Sequence, residues 1–290
     1  MIVKEMIMAI ENESFYVEMS DGAYLYVEHA AGPGTPVVFM PGFCCTTGFF
    51  ERNIEALASE HDVYAYDPRG QGNSSKGLQG HTVARNAIDV KELIEALGLE
   101  QVCLVAWSMA GQFAMDYVRQ FGVRHLSSIV MADCPLHALG DEPWNAHGLR
   151  GFNMDHFNEH LQRGYNDWEG YCRGFAHKIW DDVDPGRVEW ATREFLKTPP
   201  WIAFAIYADM VFRNGYTYLD QAEIPMLFTG ADSRVTENGV DLATHWYPDA
   251  RPAPLASHSH AFETGGHVFF YAEHELFNEI LLDFLRTAKP

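Results

Sequence analysis

Basic side chains are scarce in this sequence of 290 residues: 20 lysines and arginines stand against 40 aspartates and glutamates, giving a formal net charge of -20. Nucleic acids and anionic membrane surfaces would be repelled by such a chain, so we expect neither as a partner. Apolar runs of the ~18 residues that cross a bilayer are missing, and residues 1–10 contain no cleavage-like site. These absences predict a cytoplasmic protein that binds a small-molecule substrate, and they leave its oligomeric state open.

Cysteine is also sparse, and its spacing fits no metal-binding or redox pattern. The number of cysteines is odd, and no two of them have the interval of a zinc knuckle or a redox dithiol. His258 and His260 lie close together, but no third ligand follows at a suitable spacing. We therefore expect structural or free thiols, no bound metal and no cofactor. The five cysteines are Cys44, Cys45, Cys103, Cys134 and Cys172.

Glycine is absent from the positions two residues before and two residues after Ser108, which lies between a strand pattern and a helix pattern. The apolar run 102–105 has the length of a buried strand, and residues 112–118 resemble a helix packed by its apolar side. Ser108 lies between them, flanked by the small residues Ala106 and Ala110. This pattern is typical of a nucleophile elbow, where the helix N-terminus favours developing negative charge. The alternative is a plain strand-to-helix turn whose serine only caps the helix.

Strand and helix patterns alternate along most of the chain, which predicts an α/β fold with a mostly parallel sheet and helices on both faces. From residue 135 to 201 the strand patterns vanish. We interpret this stretch as a helical cap inserted after the sixth strand, between the core segments 1–134 and 202–290. Strands are expected at 14–19 and 23–28 (a hairpin), 37–40, 62–66, 102–105, 127–133 and 224–230, with an edge strand near 253–257.

Aromatic side chains crowd the predicted cap. Some of them must be buried simply to pack its helices, and the excess indicates an apolar or aromatic substrate pocket. As the lining of this pocket we predict Trp107, Trp144, Phe157 and Trp168.

A serine nucleophile needs a base, and the base needs an acid that orients it. His267 stands out among the fourteen histidines because paired glycines place it on an irregular loop before the last helix. Two aspartates compete as the acid: Asp133 closes the strand after the nucleophile strand, and Asp232 follows the strand that ends at Gly230. Since the carboxyl ends of parallel strands share one edge, either can reach the histidine. We favour Asp133 and keep Asp232 as the alternate acid.

Such a serine also needs hydrogen-bond donors for the oxyanion that forms on attack. The backbone N–H of Met109 lies just past Ser108, and the N–H of Phe43 can supply the second donor. Gly42 would let this loop approach the site closely.

Four motifs carry a resemblance to a known family: Pro41-Gly42-Phe43, the turn D-x-R-G-x-G-x-S at 67–74, Trp107-Ser108-Met109, and Gly266-His267. On these motifs the chain resembles the α/β-hydrolase fold superfamily over nearly its whole length, and it is most similar to the non-haem chloroperoxidase-like hydrolases. In that branch an aspartate commonly closes the strand after the elbow, so the resemblance supports Asp133. The chain departs from the family pattern at Ala106 and Ala110, where glycines are usual, and at Pro41, where histidine is usual.

The resemblance implies a carboxylesterase-like or lactonase-like serine hydrolase that cleaves an ester, lactone or related acyl bond of a small apolar or aromatic substrate through Ser108, His267 and Asp133. Two alternatives stay open. Some enzymes resembling this chain are cofactor-free dioxygenases, in which a His/Asp pair deprotonates a hydroxyquinolone. The second alternative is a receptor that keeps the pocket and binds a small ligand without catalysis.

Overall fold

The computed structural model describes residues 12–139, 152–180, 184–231, 257–262 and 265–288. Within these residues one sheet holds eight strands, whose order across the sheet is β1-β2-β4-β3-β5-β6-β7-β8. The strands are β1 (Asn12–Glu18), β2 (Tyr24–Ala30), β3 (Pro36–Met40), β4 (Asp62–Tyr66), β5 (Val102–Trp107), β6 (Leu126–Ala132), β7 (Met226–Ala231) and β8 (Ser257–Phe262).

The sheet is mostly parallel, as predicted. β3 pairs in parallel with β4 and β5, and parallel pairing continues through β6 and β7 to β8. β1 pairs antiparallel with β2, and β2 antiparallel with β4. The turn between β1 and β2 contains Gly22 with a φ of 80°, a conformation that favours glycine, and so the predicted hairpin is confirmed.

The central strands β5 and β6 are buried along their whole length, which explains the apolar run over all of β5 and over residues 129–132 of β6. The helices are α1 (Glu51–Leu57), α2 (Val83–Ala96), α3 (Ala110–Phe121), α4 (Met154–Asn166), α5 (Trp168–Ile179), α6 (Pro185–Leu196), α7 (Pro200–Val211), α8 (Phe269–Ala272) and α9 (His274–Thr287).

The strand order explains why helices cover both faces. The connection from β3 to β4 leads toward one edge of the sheet, and the connection from β4 to β5 leads toward the other. Since such crossovers are right-handed, α1 and α2 lie on opposite faces. α9 packs against α1, and α3 against α2. The direction of winding changes between β3 and β5, so the loops after these strands flank the crevice where open α/β sheets bind ligands.

In the described part of the segment between β6 and β7 there are four α-helices, α4 to α7. The predicted end of the cap at residue 201 falls inside α7, because the helical pattern continues to Val211. The division into core and cap stays a prediction. The edge strand expected near 253–257 lies later, as β8 at Ser257–Phe262. Among the described residues no helix is both long and apolar enough to cross a membrane, and no three potential metal ligands cluster.

Candidate active site

Ser108 occupies the turn between the end of β5 and the start of α3. Its φ is 57°, a left-handed backbone conformation that residues with a side chain rarely adopt and that costs free energy. Two backbone hydrogen bonds fix the turn: Ser108 N–H donates to the Ala132 carbonyl (2.9 Å), and Gly111 N–H donates to the Ser108 carbonyl (3.1 Å). The serine is half-buried, so its hydroxyl is held at the surface of the core.

The residues around this turn are small because neighbouring strands and side chains pack closely against them. Ala106 lies in the sheet between Met40 of β3 and Met131 of β6, and it is fully buried. A Cβ atom on Gly111 would come within 2.5 Å of the Cys134 Cβ, so a side chain there would push the next strand end away. The elbow therefore keeps its compact geometry with alanines at the two flanking positions.

His267 reaches the serine from a 3₁₀ turn at Gly266–Val268. The Ser108 hydroxyl lies 2.8 Å from His267 Nε2, which suits donation of its hydrogen to that nitrogen. Gly265 and Gly266 have φ values of 93° and 57°, so the paired glycines allow the tight approach to the turn. The Trp107 indole N–H donates to the His267 carbonyl (2.9 Å), a contact that the sequence analysis missed.

Asp133 completes the arrangement from the end of β6. Its Oδ2 lies 2.5 Å from His267 Nδ1, and the aspartate is only 2% exposed. A carboxylate can only accept, so Nδ1 carries the proton and Nε2 is left free to accept from Ser108. Asp133 also has a positive φ (48°), and its N–H donates to the Thr229 carbonyl (2.8 Å). The alternate acid, Asp232, lies outside the described residues.

The two predicted oxyanion donors belong to residues beside the serine. Met109 directly precedes α3, and neither its amide nor that of Phe43 donates to an acceptor in the described part of the chain. A Cβ on Gly42 would lie 2.8 Å from the Ser108 Cβ and 3.4 Å from its Oγ, so the backbone before Phe43 touches the serine. Within the described residues both amides are thus without a protein acceptor, Met109 next to Ser108 in the chain and Phe43 next to the glycine that touches it, and their role as oxyanion donors stays a prediction.

The four predicted pocket residues have different surroundings. Trp107 is 1% exposed and packs on Phe49 and Phe270, so it lies beneath His267 and supports it rather than lining a pocket. Trp144 lies outside the described residues. Trp168 is half-buried, stacks on Tyr171 and donates to the Thr198 carbonyl (3.1 Å), which joins α5 to the turn between α6 and α7. Phe157 is buried and stacks on Tyr207.

Two rings that the prediction omitted contact Phe43 directly, in the loop 41–46 that is predicted to supply the second oxyanion donor. The Phe43 ring lies 5.4 Å from the Tyr207 ring and 5.9 Å from the Phe175 ring. Phe175 lies on α5, among the aromatic residues of the predicted cap. Tyr207 lies on α7, beyond the predicted boundary at residue 201, which is why it was missed.

The turn at 67–74 is hydrogen-bonded to the chain just after the loop 41–46. Asp67 is fully buried and accepts from the backbone N–H groups of Thr47 (2.7 Å) and Asn73 (2.6 Å). Burial raises the pKa of Asp67 from 3.8 to about 6, although both amides act in the opposite direction. A Cβ on Gly72 would lie 2.1 Å from the Asp67 carboxylate, so this turn requires glycine there.

Comparison with known proteins identifies the family of this chain. The sequence model of the family described as "alpha/beta hydrolase fold" matches residues 35–148. A protein of Azorhizobium caulinodans named "Putative carbamate hydrolase RutD" is 30% identical over 297 residues, which cover 93% of this chain and 97% of the relative. The chain belongs to the α/β-hydrolase family.

A second member of the family, "AB hydrolase superfamily protein YisY" of Bacillus subtilis, is 26% identical over 274 residues, covering 93% of this chain and 98% of the relative. Among solved structures, a bromoperoxidase from Bacillus anthracis superposes with a TM-score of 0.81 at 24% identity, covering 95% of this chain and all of that one. The predicted fold is therefore confirmed, and the family includes haloperoxidase-named proteins of the kind the sequence resembled.

Proposed function

We propose that this α/β-hydrolase is a serine hydrolase that cleaves an ester, lactone or related acyl bond of a small apolar or aromatic substrate. The observation that carries the proposal is the continuous hydrogen-bond relay from the Ser108 hydroxyl through the His267 imidazole to the Asp133 carboxylate. A relative named as a carbamate hydrolase fits the same chemistry, since carbamate hydrolysis is also an acyl transfer.

In the proposed mechanism, Ser108 Oγ attacks the carbonyl carbon while His267 Nε2 takes the hydroxyl proton. The Phe43 and Met109 amides stabilise the negative charge that develops on the carbonyl oxygen. His267 then gives the proton to the leaving group, which departs and leaves Ser108 acylated. Water attacks the acyl carbon as His267 takes a proton from it, and the Ser108–acyl bond breaks as the proton returns to Ser108 Oγ and the acid is released. Asp133 holds the imidazole in the required tautomer and stabilises its charged form. The aromatic rings beside Phe43 favour an apolar acyl or leaving group.

The deciding experiment is intact-mass analysis after treatment with a fluorophosphonate probe. We expect a single adduct on the wild-type protein and none on Ser108→Ala or His267→Ala, because only an activated serine reacts. Folded wild-type protein that gains no adduct would contradict the proposal. In that case oxygen uptake with a 3-hydroxy-4-quinolone tests for a dioxygenase that needs only His267 and Asp133, and recovery of an intact bound ligand tests for a receptor.

A second test addresses the acid. Asp133→Asn keeps the shape of the side chain but lets the imidazole adopt the wrong tautomer, so kcat for p-nitrophenyl butyrate should fall by about 10³–10⁴. Circular dichroism checks that the variant is folded. An Asp133→Asn enzyme within about tenfold of wild type would show that another carboxylate, such as Asp232, serves His267.

A further inference from the structure

The loop that carries Phe43 is held from two sides. Toward the core, Thr47 N–H donates to Asp67 Oδ1 (2.7 Å), and the Thr47 hydroxyl donates to Glu28 Oε1 (2.9 Å). Toward the predicted cap, the Thr46 hydroxyl donates to Glu194 Oε2 (2.6 Å). Glu194 lies on α6, so this bond joins the oxyanion loop to a helix of the segment between β6 and β7.

The bond between Thr46 and Glu194 is sheltered and charge-assisted. Thr46 is 1% exposed, and the side chain of Glu194 is 14% exposed. The Glu194 carboxylate also accepts from Lys197 Nζ (2.7 Å), which fixes its orientation at the end of the helix. A hydrogen bond to a charged group is stronger than one between neutral groups, and screening by water is weak at a buried site.

Helix α6 also packs on the residues that follow the loop. The Trp190 ring lies 4.6 Å from the Phe49 ring, and the Phe195 ring stacks on Phe49 at 5.8 Å. A Cβ on Gly48 would come within 3.4 Å of the Trp190 ring, so the helix approaches the chain closely here. These apolar contacts set where α6 lies, and the Glu194 carboxylate sets the direction of the Thr46 hydroxyl.

The loop is short enough to transmit this restraint. Cys45 N–H donates to the Gly42 carbonyl (3.1 Å), and Phe49 N–H donates to the Thr46 carbonyl (3.2 Å), so turns enclose both halves of the segment. Thr46 is three residues from Phe43, whose amide is one of the two proposed oxyanion donors. An oxyanion donor must be held to within a fraction of an ångström for its full effect.

We propose that Glu194 is a positioning residue for the oxyanion loop, acting through Thr46, so that the placement of the Phe43 amide depends on the docking of α6. The inference rests on the proposed serine-hydrolase function of the same site. Glu194 touches no reacting atom. Its contribution is to hold the loop from the side that faces away from the sheet.

The kinetic test removes each partner. Thr46→Val and Glu194→Met delete the donor and the acceptor with little change of volume, and each should lower kcat for p-nitrophenyl butyrate about tenfold while KM stays within about twofold. Thr46→Ser and Glu194→Gln keep a donor and an acceptor and should retain most of the activity. The double variant should be no slower than the slower single variant, because both remove one interaction.

Glu189→Gln is the matched control. Glu189 lies on the same helix and pairs with Arg173, away from the loop, so its variant should keep wild-type kcat. A fall in thermal stability with unchanged kcat in Thr46→Val and Glu194→Met would overturn the proposal, since it would leave these residues a purely structural role.

Hydrogen exchange of peptides covering residues 41–50 gives a readout that does not need hydrolysis. Exchange there should be at least about fivefold faster in Thr46→Val and Glu194→Met than in wild type or Glu189→Gln. Unchanged exchange would refute the anchoring even if the wild-type enzyme hydrolyses esters. Faster exchange in a protein that hydrolyses no ester would instead refute the proposed function and leave the anchoring of the loop supported.

Discussion

At the scale of single residues, the site depends on how closely Gly42 approaches the serine. The ideal Cβ at this position lies 2.8 Å from the Ser108 Cβ, and neither atom belongs to the far end of a flexible side chain. The backbone must therefore shift if any side chain is added. A displaced loop would move the Phe43 amide away from the oxyanion.

We accordingly expect Gly42→Ala to lower kcat/KM for p-nitrophenyl butyrate about 10²-fold and to cost roughly 1–3 kcal/mol of unfolding free energy. Gly77→Ala is the control, because a Cβ at Gly77 meets nothing within 4 Å. Steady-state kinetics and urea unfolding measure the two effects. A fully active Gly42→Ala enzyme would mean that the loop has room to adjust without loss of function.

Asp67 makes stability depend on pH in an unusual direction. Its folded pKa of about 6 exceeds the ordinary 3.8, so between these values the folded state binds more protons than the unfolded state. The contribution of this group to the free energy of unfolding therefore falls as pH rises through that window. Above pH 6 the buried carboxylate is charged, and this costs free energy because the Thr47 and Asn73 amides only partly offset its desolvation.

Asp67→Asn removes this titration. Relative to wild type, the variant should gain up to about 3 kcal/mol of unfolding free energy as pH rises from 4 to 6.5. Urea unfolding at several pH values measures the difference, and Asp220→Asn, at an exposed position, is the control. A difference that stays constant or moves the other way would show that the two amides fully compensate for burial.

At the scale of elements, the N-terminus of α2 illustrates how the free backbone N–H groups of a helix end find acceptors. The Thr82 side chain accepts from Arg85 N–H (3.1 Å), the hydrogen bond of an N-terminal helix cap. Val83 N–H donates to Asp209 Oδ2 on α7 (2.7 Å), a bond between distant parts of the chain.

Thr82→Ala should lower the free energy of unfolding by about 1 kcal/mol, and Thr82→Ser should largely preserve it, because the serine hydroxyl can also accept the Arg85 N–H. The midpoint of urea unfolding is the measurement. Neither variant should change kcat, since α2 contributes no group to the site. A loss of activity in Thr82→Ala would indicate that this helix end influences the oxyanion loop.

The elements that carried local signatures were predictable from sequence. Ser108 lies between an apolar strand and a helix, and His267 follows paired glycines, so short-range patterns were enough to select both. Asp133 was favoured over Asp232 from its place at the end of the strand after the nucleophile strand, and the resemblance then supported that choice, because either strand end can bring an acid to the histidine. The bond between Thr46 and Glu194 spans 148 positions, and a glutamate on a helix carries no sign of a distant partner. The positive φ of Asp133 likewise depends on its long-range contacts.

At the scale of the whole molecule, the net charge of -20 acts on every approaching ligand. An anionic substrate is repelled at low ionic strength, and salt screens the repulsion as the Debye length falls from ~30 Å at 0.01 M to ~8 Å at 0.15 M. A neutral ester feels no such field.

The p-nitrophenyl monoester of glutaric acid should therefore show a kcat/KM that rises about two- to fivefold between 0.01 and 0.15 M salt, while that of p-nitrophenyl butyrate stays constant. Stopped-flow assays under pseudo-first-order conditions compare the two substrates. A kcat/KM that falls with salt for the anionic ester would reveal a local cationic site strong enough to override the global charge.

The long sequence separation between Ser108 and His267 also has a consequence during synthesis of the protein. Ser108 and His267 are 159 positions apart. At roughly 5–20 residues per second, a ribosome needs about 8–30 s to travel from one to the other. Throughout that interval the nascent chain carries the serine without the imidazole that would activate it. If Ser108 is the nucleophile proposed above, the order of synthesis leaves its hydroxyl unreactive until the last part of the chain has been made and folded against the sheet.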